Sequence, residues 1–228
     1  MGGTDRMPEA ALAMARRFAA GATLWCASPE WPWHARHVAV EFVHPVIVGK
    51  RALPSVAIGE APLDETLRAA SRPGDLFLAV ATSGRADVAG ALRMCPVWGL
   101  TGIWIGAGPP PPAGTADHVL WSTEAAADAA YDGELVRAYH VLWELTHVCF
   151  EHPGLLSAEP SEGCDAEGHC VTCSDEGRLG EVVAVGQGEV TVRSSAGFET
   201  VDATLVEAPH EGDLVLVHAG TAISRAEL

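Results

Sequence analysis

Gly74-Asp-Leu-Phe-Leu-Ala-Val-Ala-Thr-Ser-Gly84 is the stretch that decides the fold. Leu76, Phe77, Leu78, Ala79 and Val80 leave neither face of a strand polar, so both faces must be covered. That is the mark of a strand inside a parallel sheet with helices above and below. The run ends in Thr82-Ser83-Gly84, a turn into the next helix.

Working outward, helical and strand patterns alternate on both sides. The pattern predicts helices over Pro8–Ala20, Trp33–His44, Leu63–Ala70, Asp87–Cys95 and Gly133–Glu151, the first opening with Pro in its first turn. Between them it predicts strands over Ala22–Ala27, Ser55–Ile58, Asp75–Ala81, Leu100–Gly106 and His118–Trp121, with a Pro-rich loop at Pro109–Pro112. Residues 1–151 therefore read as an α/β domain with a doubly wound, flavodoxin-like parallel sheet. No Lys or Arg lies between Arg137 and Arg178, and 152–168, rich in Gly, Ser and Pro, reads as an acidic linker. Residues 169–228 read as a second, all-β domain. Gly180–Val185 and Glu189–Arg193 flank the hairpin signal Gly186-Gln-Gly188, and Phe198–Val206 and Asp213–Ala219 follow. Short strands with tight turns in so few residues predict a small, closed, OB-like β-barrel.

The chain of 228 residues is 48% hydrophobic and carries a net charge of −16, so it can bury a core and is a poor ligand for phosphate backbones. No nucleic-acid partner is expected. Lys50 is the only lysine, and no run of 18 apolar residues exists, which argues against a membrane patch or span. Met1–Arg6 has no leader pattern, so the expectation is a cytoplasmic protein.

Two groups of residues carry metal chemistry. Cys164, His169, Cys170 and Cys173 place four soft or borderline donors within ten residues, suited to zinc, Fe(II) or Cu(I). They read as a zinc tether, as uncoordinated surface thiols, or as a thiolate that carries iron. Cys26, Cys95 and Cys149 stand alone in apolar segments and read as core thiols. In the first domain, His37-Val-Ala-Val-Glu41 puts two donors at i and i+4, and His140, Glu144 and His147 share a face of the last helix. Convergence on a metal such as zinc competes with a role as ordinary helix residues.

Gly212-Asp-Leu-Val-Leu-Val-His-Ala-Gly-Thr-Ala-Ile223 resembles the closing motif of the HypC/HupF/HybG hydrogenase assembly chaperones. The likeness runs from Cys170 to the end. It implies a carrier of an iron bearing CO and cyanide, held with a HypD-type maturation partner and passed to the precursor of a [NiFe]-hydrogenase large subunit. The iron-binding role then falls on Cys170, with Cys173 as rival or second ligand, and His218 matches the family's functional histidine. Two departures stand out: in short members the cysteine follows the initiator Met, and Ser174 replaces the usual proline. On its own, His218 alternates with Leu214 and Leu216 and also reads as a core histidine.

The strand order and Gly74–Gly84 resemble the sugar isomerase (SIS) domain, phosphoheptose isomerases above all. That resemblance implies a sugar phosphate cradled by Thr82, Ser83 and Gly84 at a helix N-terminus, a ligation role for His37 and Glu41, and a late metal histidine at His147. Tyr139 stands where a ligand glutamine is usual, leaving Glu144 or His140 to substitute. The glycine-rich phosphate loop is replaced by Cys26-Ala-Ser-Pro-Glu-Trp-Pro-Trp33, in which prolines lack N–H groups and Glu30 repels anions. The favoured reading is a maturation factor rather than a catalyst. The alternatives are a zinc-dependent sugar-phosphate isomerase using Glu41 or His147, a sugar-phosphate-binding protein, and a module that forms a homo-oligomer or docks a target.

Overall fold

A computed structural model describes residues 6–123, 133–156 and 177–226. They fall into two compact units, one holding the described residues of 1–95 and 100–157, the other those of 96–99 and 158–228. Cys164, His169, Cys170, Cys173, Ser174 and most of the 152–168 linker lie outside the described residues.

The first unit runs α1 (Met7–Ala19), β1 (Leu24–Ala27), α2 (Pro32–Val43), β2 (Ser55–Ala57), α3 (Leu63–Ala70), β3 (Leu76–Val80), α4 (Ala86–Trp98, of which it holds the residues up to Cys95), β4 (Thr101–Ala107), β5 (His118–Ser122) and α5 (Gly133–Glu151). Its five strands are all parallel, in the order β2-β1-β3-β4-β5. Every residue of β3 and β4 is buried, as the two-faced apolar pattern requires. One face of the sheet, through Leu24, Cys26, Leu76, Leu78, Val80, Ile103 and Ile105, packs against Met14 and Phe18 of α1, Val38 and Phe42 of α2 and Leu142 of α5. Cys26, Cys95 and Cys149 are buried free thiols, and burial pushes the Cys26 thiol up to about 12. They are core residues without nucleophilic character. Helix α4 extends past the expected end at Cys95 and takes in Pro96, which has no N–H to donate to the preceding turn.

The second unit holds β6 (Arg178–Val185), β7 (Glu189–Ser194), β8 (Gly197–Asp202), β9 (Leu214–His218) and β10 (Thr221–Ala226), closed as β10-β8-β7-β6-β9. Val182, Val190, Val192, Val201, Val215, Val217 and Ala222 fill it. Two expectations are corrected here. The strand expected to reach Val206 stops at Asp202, whose Oδ1 accepts both the Thr204 N–H and its hydroxyl and so bends the chain out of the ladder. The core face of β9 is Val215 and Val217, so Leu214, Leu216 and His218 share the outer, half-buried face and His218 is no core histidine. Among the described residues, no helix is long and apolar enough to cross a membrane.

Candidate metal centre

His37 and Glu41 lie one turn apart on α2, and α5 brings His140 beside them. His37 Nε2 is 3.3 Å from Glu41 Oε1, His140 Nε2 is 3.3 Å from His37 Nε2, and His140 Nε2 is 3.8 Å from Glu41 Oε1. Four ligands held tetrahedrally at zinc bond lengths of 2.0–2.1 Å stand about 3.3 Å apart, so these three atoms are spaced as three corners of such a shell. The side chains remain 33%, 21% and 43% exposed, which leaves the fourth corner open to a small ligand or water.

A chain of aromatic side chains backs the cluster. Tyr139 Oη lies 2.8 Å from His37 Nδ1 and 3.3 Å from His34 Nδ1. A His37 that donates from Nδ1 to Tyr139 presents a lone pair at Nε2, and the Tyr139 hydroxyl can then donate to His34. Burial, aided by Glu41, pushes the Tyr139 hydroxyl up to about 12, so it keeps its proton. Tyr139 therefore holds the ring of His37, one of the three candidate donors, through its hydroxyl.

Glu144 and His147 do not join the cluster, although they share a helical face with His140 in the sequence. Glu144 is drawn to Lys50, 3.3 Å away. His147 is buried, with Nδ1 2.9 Å from the Trp143 carbonyl and Nε2 2.9 Å from the Arg51 carbonyl, and clips the 51–53 loop to α5. Both ring nitrogens face main-chain carbonyls and not the cluster, so His147 is not among its donors. The i+4 and i+7 offsets hold along one face, but the neighbours of that face change from α2 to a loop over two turns.

His34 was missed, though His34-x-x-His37 is legible as a turn of helix. It is fully buried, its ring lies 3.5 Å from that of Trp33, and its Nε2 has no hydrogen-bond partner among the described residues. Burial, and then His37, push it down to about 4. The unfolded chain takes up this proton near the ordinary 6.5, the folded chain only near 4. Between the two the unfolded state binds more protons, so stability falls as pH drops from about 6.5 toward 4, by up to ~3 kcal/mol. Urea midpoints measured between pH 4 and 7 in chelator will show this slope, and His34→Phe will flatten it. An equal slope in that variant assigns the acid sensitivity elsewhere.

Thr82, Ser83 and Gly84 sit in the turn from β3 to α4. Thr82 is already engaged: its N–H donates to Glu30 Oε2 at 2.8 Å and its hydroxyl to Glu30 Oε1 at 2.9 Å.

No protein-family model matches the chain, and no curated protein matches it. Solved structures do resemble it. A phosphoheptose isomerase from Francisella tularensis superposes with a TM-score of 0.55 at 12% identity, covering 64% of this chain and 87% of the other. Phosphoheptose isomerase GmhA from Neisseria gonorrhoeae gives 0.53 at 14% identity, with 64% and 87% covered. Identities this low establish the fold alone: a five-stranded parallel sheet with helices, of the sugar-isomerase type.

Proposed function

We propose that the α/β unit binds a divalent metal, zinc by preference, through His37, Glu41 and His140, and takes a carbohydrate derivative as its ligand. The observation that carries this is the spacing of the three donor atoms, with one corner left open. Two imidazoles and one carboxylate form a donor set that zinc accepts. When bound, the metal supplies Lewis-acid polarisation of a hydroxyl or carbonyl oxygen. The chain's own residues contribute orientation: Tyr139 fixes the His37 ring, and the main chain of Glu41 is pinned by the Trp143 indole N–H at 2.9 Å. The reading is of a binding module rather than an isomerase, since the Glu30 carboxylate lies on Thr82. Zinc titration by calorimetry should give one site per chain. A ketose phosphate incubated with the zinc-loaded protein should not turn over; turnover would replace this reading with the isomerase, and absence of zinc binding would remove it.

We also propose a second reading, for the barrel, which rests on the resemblance of the closing motif Gly212–Ile223. Gly212–Ile223 includes β9 and opens β10, and the hairpin between them turns on Ala219 and Gly220, both at positive φ (47° and 76°). His218 is the last residue of β9, half-buried on the outer face. In this reading the barrel carries the cyanide- and CO-ligated iron on Cys170 or Cys173 with a HypD-type partner, and delivers it to a hydrogenase large-subunit precursor. Thiolates suit such a cargo because they are soft, anionic and exchangeable. The double variant Cys170→Ala, Cys173→Ala, co-expressed with the maturation partner, should lose iron retention completely. Iron retained at the parental level would rule this carrier role out.

A further inference from the structure

Glu30 stands in the loop Ser28-Pro-Glu-Trp31, between β1 and α2, and spends both carboxylate oxygens on one residue of a different loop. Oε2 accepts the Thr82 backbone N–H and Oε1 the Thr82 hydroxyl, at 2.8 and 2.9 Å. The loop is held for this. The Ser28 hydroxyl, fully buried, donates to the Val80 carbonyl at 2.7 Å, and the Trp31 N–H donates to the Ser28 carbonyl at 3.2 Å. Pro29 and Pro32 flank the glutamate and restrict the backbone on either side. Arg85, three residues beyond Thr82, is close enough to feel the carboxylate favourably.

An N–H and an O–H converging from one turn on two oxygens of an anion is how a protein holds a carboxylate, a sulfate or a phosphate. Here the anion comes from the chain itself. We propose that Glu30 is a built-in anion that occupies the Thr82 turn and makes this unit reject phosphorylated ligands there. A phosphate approaching the turn meets donors that are already used and a fixed negative charge that repels it. Glu30 is thus a specificity-determining residue: the carbohydrate derivative proposed above carries no phosphate at the end that meets Thr82. That last statement rests on the proposed function. The occupation of the turn by Glu30 does not, because it involves none of His37, Glu41 and His140.

The test uses the full chain, inorganic phosphate as the probe and sodium chloride at matched ionic strength as the control. Phosphate affinity is measured by calorimetry in the parent, Glu30→Ala and Glu30→Gln, with circular dichroism to verify folding. Glu30→Ala frees the donors and removes the charge, so it should gain saturable phosphate binding at least about tenfold tighter than the parent. Glu30→Gln keeps the shape without the charge and should fall between the two. Should the alanine variant not fold, the glutamine variant decides alone, since any gain there follows from the lost charge. A folded variant that binds phosphate no better than the parent makes Glu30 a mere loop staple and overturns the proposal, as does a parent that already binds phosphate as tightly. Zinc titrated into the parent in the same series reads the proposed function independently, so the two can fail separately.

Discussion

Replacing His37 by alanine will weaken zinc binding to the α/β unit by about 100-fold or more. The substitution does two things at once. It removes Nε2, the atom 3.3 Å from both Glu41 Oε1 and His140 Nε2 that holds the triangle together. It also leaves the Tyr139 hydroxyl without its 2.8 Å partner. Two donors on different helices remain, and two ligands bind zinc far more weakly than three. Tyr139→Phe separates the contributions: it keeps all three ligands and removes only the hydroxyl that orients His37, so it should cost roughly 10-fold. His147→Gln should leave the affinity within about twofold, since both ring nitrogens face carbonyls away from the cluster. Calorimetric titration of the variants, with circular dichroism as the check on folding, decides. A His37→Ala protein that binds zinc like the parent places the metal elsewhere. A His147→Gln protein as impaired as His37→Ala restores the assignment that its sequence position suggested.

The parts of this site differ in how far they could be read from residues alone, for reasons that are local. Leu76–Val80 announces a two-faced buried strand because burial on both sides is written in five consecutive side chains. His37 and Glu41 are paired by helical periodicity, which needs nothing beyond the neighbouring turn. His140 had two competitors on its own helix, and periodicity ranks all three alike. What separates them is the element opposite each turn: α2 for His140, Lys50 for Glu144, the Arg51 carbonyl for His147. The Glu30–Thr82 contact joins positions 52 apart through adjacent strands β1 and β3, and only their register of Ala27 against Ala79 brings the two loops together. In the barrel, β10 escaped because its inward Ala222 is followed by exposed Ile223, Ser224 and Arg225, a pattern without alternation. The bulge between Ala222 and Ser224 explains it by letting the strand change face.

Gly106→Ala will destabilise the α/β unit by about 3 kcal/mol. Gly106 is the last residue but one of β4 and pairs across to Trp121 of β5. A Cβ there would come 2.3 Å from Trp121 Cζ3 and 2.4 Å from the Ala81 carbonyl oxygen. Neither neighbour has room to yield. The Trp121 ring is fixed by its N–H to the Gly108 carbonyl at 2.8 Å and by an edge contact with Trp104. The Ala81 oxygen belongs to the backbone and accepts the Trp104 indole N–H at 3.2 Å. Relief therefore requires β3 and β4 to part at their C-terminal ends, next to Thr82 and the turn that Glu30 occupies. Gly102→Ala is the matched control on the same strand: its nearest neighbours are the Leu92 and Cys95 side chains, at 3.0 Å and beyond, which can shift, and about 1 kcal/mol is expected. Urea unfolding followed by tryptophan fluorescence, with circular dichroism alongside, measures both. Equal losses at the two glycines would mean that the sheet gives way near Thr82 as easily as at the opposite, N-terminal end of β4. The turn would then be too soft to hold Glu30 in place.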